Sequence, residues 1–262
     1  MRTNNGRIMT WGQAIIILIF NLLIFVFSAI LNLIVIYTEF GLNSWNGYLI
    51  IIVLDTLFVY VLLKIYNISL TNRLAKPKIY FISFAIGIVI IAAFIFKPLA
   101  FPKEYFNSIF LGIKNIQLPS IEMTKMDFSL FLFFSCLLSP VLEEIFYRRI
   151  LMKGLLIRYS PVKVILILSI IFGVMHFNMS FISLILLSII ISYIYMISDS
   201  IILAIILHVI YNSVVIASSF LYTKTDNFFF SIWFLFLILI GFTIMIIFLK
   251  KLRKYADKFS PI

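Results

Sequence analysis

Residues Trp11–Tyr37 read WGQAIIILIFNLLIFVFSAILNLIVIY, without one charged side chain. A helix rises about 1.5 Å per residue, so about 20 apolar residues are needed to cross the hydrocarbon of a bilayer. This run meets that requirement. It is too long for the apolar region of a signal peptide, and no small-residue cleavage site is obvious, so it is expected to stay in the protein as a spanning helix. Seven more apolar runs follow, at residues 48–63, 79–96, 128–142, 162–177, 181–197, 201–222 and 228–249. The expected fold is therefore all-α, a polytopic transmembrane bundle of about eight helices, with residues 1–262 forming one membrane domain. The run at 128–142 is short for a span, and its helix is expected to continue through polar residues to about Tyr159.

Composition excludes the main alternatives. Hydrophobic residues make up 64% of the 262 and charged residues 12%, whereas a soluble domain carries about 45–50% apolar and about 25% charged residues. A water-soluble globule is excluded by the charge deficit. A disordered chain is excluded by the amount of apolar side chain to be buried. One cysteine, Cys136, allows neither an internal disulfide nor a cysteine metal cluster.

The net charge of +11 reports orientation rather than nucleic acid, because no soluble module exists to present a basic face. Sixteen of the 21 basic residues lie in the tail with Arg2 and Arg7, in 64–78, in 148–163 and in 250–258. With eight spans all four regions fall on one side, expected to be the cytoplasm, so both termini are expected there. The basic C-terminal tail would meet anionic headgroups. The long connection Lys97–Asp127, with Pro98, Pro102 and Pro119, lies opposite and could hold a short interfacial helix.

Ionisable side chains at membrane depth are costly and mark functional sites by default. Here they are Asp55, Glu143, Glu144, Arg148, His176 and His208, a set that includes both histidines of the chain. Glu144 and Arg148 are four residues apart with the acid first, the favoured order for an ion pair on a helix. Glu143 points about 100° away from Glu144. One carboxylate is thus held by Arg148, and the other, without an obvious partner, is suited to act as a general base. Pro140 removes a backbone hydrogen bond just before the pair and favours a kink. His208 and Asn212 share a helix face, as do Phe172 and His176, with Gly173 allowing a neighbouring helix to approach. Asp55 stands alone in its run, either as a packing residue or as part of the cavity. Cys136 is read as buried packing, since no activating base lies near it in sequence.

Depth can be reckoned from rise. If runs four and five form a hairpin at Ser160–Pro161, Glu143 and His176 each lie about 25 Å from the turn and can meet across antiparallel helices. His208 is only about 12 Å above Ser200. The two histidines then stand at different heights unless the Asn178–Ser180 link is buried at membrane depth or the sixth run tilts strongly.

Three motifs follow one another on these helices. Glu143-Glu144-Ile145-Phe146-Tyr147-Arg148 has the pattern E-E-x-x-x-R, Phe172–His176 the pattern F-x-x-x-H, and His208–Asn212 the pattern H-x-x-x-N. In that order they resemble the CPBP (CAAX protease and bacteriocin-processing, or Abi) family of intramembrane endopeptidases, to which eukaryotic CAAX prenyl proteases belong. The resemblance covers about Leu130 to Val215, and Arg149 stands where many members have glycine. It implies catalytic core helices over 128–222 and an endopeptidase acting on a membrane-associated protein or peptide. It further implies that Glu143, assisted by His176, activates water, that His208 and Asn212 stabilise the oxyanion, and that Glu144, Arg148 and Phe172 support them. No cofactor is then required. A zinc ion on Glu143, His176 and His208 is the alternative, although the helical pattern His-Glu-x-x-His is absent. The Ile, Phe, Asn and Lys content suits a bacterial cytoplasmic membrane, with the cleft facing the cytoplasm. A non-catalytic protein of bacteriocin self-immunity or envelope scaffolding is the competing function. A transporter reading lacks the repeats and paired broken helices it would need.

Overall fold

At hydrocarbon depth there is no water to satisfy backbone N–H and C=O groups, so an apolar chain must satisfy them within each segment, as a helix does. The computed structural model follows this rule and describes residues 9–37, 44–68, 79–96, 125–176, 181–229 and 232–259. Eight helices are formed among the described residues. They are α1 (Trp11–Tyr37), α2 (Ser44–Ile65), α3 (Ile79–Ile95), α4, α5 (Pro161–Val174), α6 (Phe181–Ser198), α7 (Ile201–Phe229) and α8 (Ile232–Phe259). Helix α4 is an unbroken series of the segments Lys125–Leu132, Phe133–Leu138, Ser139–Glu144, Ile145–Met152 and Lys153–Leu156. No strand occurs among the described residues.

The eight helices match the eight apolar runs. Among the described residues four are long and apolar enough to cross a membrane, with windows at Trp11–Ser28, Ser129–Leu156, Phe181–Ser198 and Ile201–Ser218. Boundaries moved where polar ends extend a helix. Helix α7 runs to Phe229 and α8 to Phe259, while α5 stops at Val174, short of Phe177. The expected extension of the fourth run is present, its helix ending at Leu156 and turning through Tyr159. The expectations placed on the N-terminal tail, on residues 97–124 and on the Asn178–Ser180 link lie outside the described residues.

Helix α1 shows how the bundle divides its surface. Ala14 and Ile17 are buried, whereas Ile15, Ile16, Ile19 and Phe20 are exposed. An apolar face of this extent would aggregate in water, and lipid is the solvent that accepts it. Within the bundle α1 packs on α2, α3 on both α7 and α8, and α5 on α6. Helix α4 lies between, touching α2, α5 and α7.

Two contacts tie the N-terminal end of α1 to the far end of α4. Met9 N–H donates to the Gly154 carbonyl at 3.3 Å, and the Trp11 and Tyr159 rings meet at a tilt of 40° with centroids 5.5 Å apart. Residues 9–11 and 154–159 therefore lie at the same end of the bundle.

The α5–α6 hairpin depends on a glycine. A Cβ at Gly173 would stand 2.7 Å from the Phe181 carbonyl oxygen, a backbone atom that cannot swing aside. Overpacking of this kind costs about 1–3 kcal/mol. Gly173→Ala is thus expected to lower the unfolding midpoint of the protein in detergent, and an unchanged midpoint would show that the hairpin can open at no cost.

Two segments of α4, Phe133–Leu138 and Ile145–Met152, are wound as π-helix and flank the Ser139–Glu144 segment. Widened turns of this kind gather at functional sites. The first has a cause in sequence. Ser139 N–H donates five residues back, to the Phe134 carbonyl, and the next bond of that series would run from residue 140 to Ser135. Residue 140 is proline and has no N–H. The Ser135 carbonyl accepts instead from a side chain of another helix, as described below.

Candidate active site

Helix α4 places Glu143 and Glu144 at the centre of the bundle, and their positions differ as the 100° offset requires. Glu144 is 0% exposed. Its Oε1 lies 3.1 Å from Arg148 Nη1 and 2.8 Å from His208 Nδ1. Arg148, 1% exposed, continues the chain to α6, where Nη2 donates to Ser188 Oγ at 2.9 Å and reaches its carbonyl at 3.3 Å. The Arg148 guanidinium also faces the Phe172 ring, 5.1 Å from its centroid. The expected ion pair is present, with a further partner in His208 that spacing along one helix could not reveal.

Glu143 points the other way, toward both histidines. Its Oε1 accepts from Ser139 Oγ, one turn earlier on α4. Its Oε2 is 3.9 Å from His176 Nε2 and 3.8 Å from His208 Nε2, and has no hydrogen bond from the described residues. These separations exceed a direct hydrogen bond. The hairpin reckoning that brought Glu143 to His176 therefore holds in the structure. The difference in height expected between the histidines is closed, since both reach the same carboxylate oxygen.

Each imidazole is oriented through its other nitrogen. His176 Nδ1 is 2.7 Å from the Phe172 carbonyl oxygen, which can only accept. The proton is on Nδ1, and Nε2 is the nitrogen presented to Glu143. Phe172, 0% exposed, packs against His176 at 4.7 Å, His208 at 5.9 Å and Tyr147 at 5.1 Å between ring centroids. It is the wall that keeps both imidazoles from turning.

Asn212 stands on α7 one turn beyond His208. Its Nδ2 donates to the Ser135 carbonyl at 2.8 Å, the acceptor that Pro140 leaves without its helical partner. One of the two amide hydrogens is thus used to bind α7 to α4, and the other remains.

Asp55 is half-buried and receives a 3.5 Å hydrogen bond from Asn21 Nδ2 on α1. That bond fits the packing reading. The same α2 face meets α4 through Phe58 and Phe146, whose rings are 6.0 Å apart. Cys136 is buried and free, as expected of a packing residue. Arg149, at the position where glycine is frequent, is buried beside the Tyr195 hydroxyl of α6.

Ser139 and Ser188 were not singled out by sequence reasoning. Ser139 carried a signal, since a hydroxyl one turn before Glu143 shares its face. Ser188 carried none, because its partner lies forty residues away on another helix. Among the described residues no three His, Cys, Asp or Glu side chains are grouped closely enough to hold a metal ion.

Glu143 and the two oriented imidazoles thus come together inside a helical membrane bundle. The family model for Rce1-like proteins, type II CAAX prenyl endopeptidases, matches residues 125–214, which carry all three motifs. The match supports membership of the chain in the CPBP, or Abi, family. No curated protein and no solved structure matched the chain.

Proposed function

We propose that the protein is an intramembrane endopeptidase that hydrolyses a peptide bond of a membrane-associated protein or peptide. The observation that carries this reading is the placement of Glu143 Oε2 between His176 Nε2 and His208 Nε2 at 3.9 and 3.8 Å. Separations of that size suit one bridging oxygen atom hydrogen-bonded to both sides. Glu143 takes a proton from water as its oxygen attacks the scissile carbonyl carbon, and His176 assists by holding that water. The carbonyl oxygen becomes an oxyanion, stabilised by the remaining Nδ2 hydrogen of Asn212 and by His208, which donates from Nε2 when both of its ring nitrogens carry protons. Collapse breaks the C–N bond, and Glu143 returns the proton to the leaving amine. Glu144 and Arg148 hold the geometry.

The substrate is a bilayer-bound protein or peptide entering a cleft on the cytoplasmic side of a bacterial membrane. Its cleavage is tested by comparing peptides released from membranes carrying wild type or His208→Ala. Peptides produced only by wild type support the proposal. Equal release, with the cellular phenotype intact, favours the non-catalytic immunity or scaffold role.

The proposed chemistry uses no metal. A zinc site on Glu143, His176 and His208 would consume the Glu143 base. Cleavage is expected to survive exhaustive chelation in protein shown by elemental analysis to carry no zinc. Loss on chelation, with recovery on adding zinc alone, would establish the metal-dependent alternative.

A further inference from the structure

The active-site motifs account for α4, the end of α5 and α7, but not for α6, which is nevertheless joined to the site by one polar chain. Ser188 on α6 is 2% exposed and accepts from Arg148 Nη2 at 2.9 Å, both through its hydroxyl and, at 3.3 Å, through its carbonyl. Arg148 Nη1 is 3.1 Å from Glu144 Oε1, and that oxygen is 2.8 Å from His208 Nδ1. All four side chains are nearly or fully shielded from solvent, with exposures of 2%, 1%, 0% and 2% along the chain.

A carboxylate paired with arginine has only acceptor sites to offer. His208 Nδ1 must therefore carry a proton and donate it. Glu144 can hold His208 only if its own position is held, and Arg148 holds it by a guanidinium whose planar fork is oriented by what it bonds to at the other end. That end is Ser188. A histidine whose second nitrogen is bonded to a carboxylate has its ring orientation and proton position set by that bond.

We propose that Ser188 is a positioning residue of the active site, acting through Arg148 and Glu144 to keep a proton on His208 Nδ1 and to aim Nε2 at the space beside the Glu143 carboxylate. This rests on the reading of the site as a peptidase for its kinetic consequence, but not for its structural content. It also assigns Glu144 a second task, the orientation of His208, beside its pairing with Arg148.

The chain contains only two histidines, so its imidazole nitrogens can be followed by NMR of full-length protein labelled with 15N-histidine in lipid nanodiscs. A His176→Asn variant assigns the His208 signals. In wild type His208 is expected to show a protonated Nδ1, and an unprotonated Nδ1 overturns the proposal without recourse to any mutant. Ser188→Ala is expected to spread His208 between ring states and to lower kcat roughly tenfold with KM little changed, in the range of a lost buried hydrogen bond to a charged group. Ser188→Thr, which keeps the hydroxyl, is expected to restore both. A His208 signal and a kcat that Ser188→Ala leaves unchanged overturn the role of Ser188. If Ser188→Ala does not fold, Glu144→Gln gives the same reading, since it breaks the chain one link nearer the histidine. Should Glu143→Gln protein still cleave, the peptidase reading fails while the His208 measurement stands on its own.

Discussion

Glu143→Gln is expected to abolish peptide cleavage while leaving the protein folded and its substrate bound. Glutamine has the size of glutamate and still offers an oxygen to Ser139, the partner of Glu143 Oε1 on α4. Packing around residue 143 should thus survive. What is lost is the capacity to accept a proton from water, since an amide is no base. General-base contributions are about 10²–10⁴ in rate, and no other described carboxylate can take over. Glu144 is turned toward Arg148 and His208, and Asp55 is held on α2 by Asn21. The fall should appear in kcat, with KM within a small factor of wild type. Cleavage within tenfold of wild type by well-folded Glu143→Gln protein would remove the foundation of the proposed mechanism.

Arg148→Ala is expected to act on the fold itself. Removing the guanidinium leaves Glu144, 0% exposed, without its cation in the interior of a membrane bundle. Breaking a buried ion pair from one side costs about 3–5 kcal/mol, chiefly because the remaining charge is stranded. The cation–π contact with Phe172 and the bonds to Ser188 disappear as well. Low yield and a strongly depressed unfolding midpoint in detergent should result. The double variant Glu144→Leu, Arg148→Met tests the cause, since it removes both charges and keeps apolar volume. It should regain most of the stability but none of the activity. A single variant as stable as wild type would mean that Glu144 is not buried as a charge.

The sequence was most readable where a rule acts along one helix. The apolar runs announced eight helices because hydrocarbon permits little else. The pairing of Glu144 with Arg148 followed from helical spacing, and so did the shared faces of Phe172 with His176 and of His208 with Asn212. The meeting of Glu143 with His176 also followed from rise, because one hairpin links them through a single turn. Reading failed where a contact joins helices distant in the chain. The bond from Glu144 to His208 spans 64 residues and that from Asn212 to the Ser135 carbonyl spans 77. No periodicity encodes either one. Pro140 was legible as a break in α4, yet the group that satisfies the resulting free carbonyl lies on α7.

By itself, then, the sequence determined the solvent of this protein, the apolar runs that form the eight described helices and the few polar groups the bilayer has to accommodate. These are set by local hydrophobicity and by a fixed rise per residue. Only the tertiary structure decided that Glu144 orients one histidine while Glu143 faces both, and that α6 is anchored to the site through Ser188. Those assignments depend on the rotation and height of each helix against its neighbours. Side-chain packing across the bundle sets both, and no single segment of sequence contains that information.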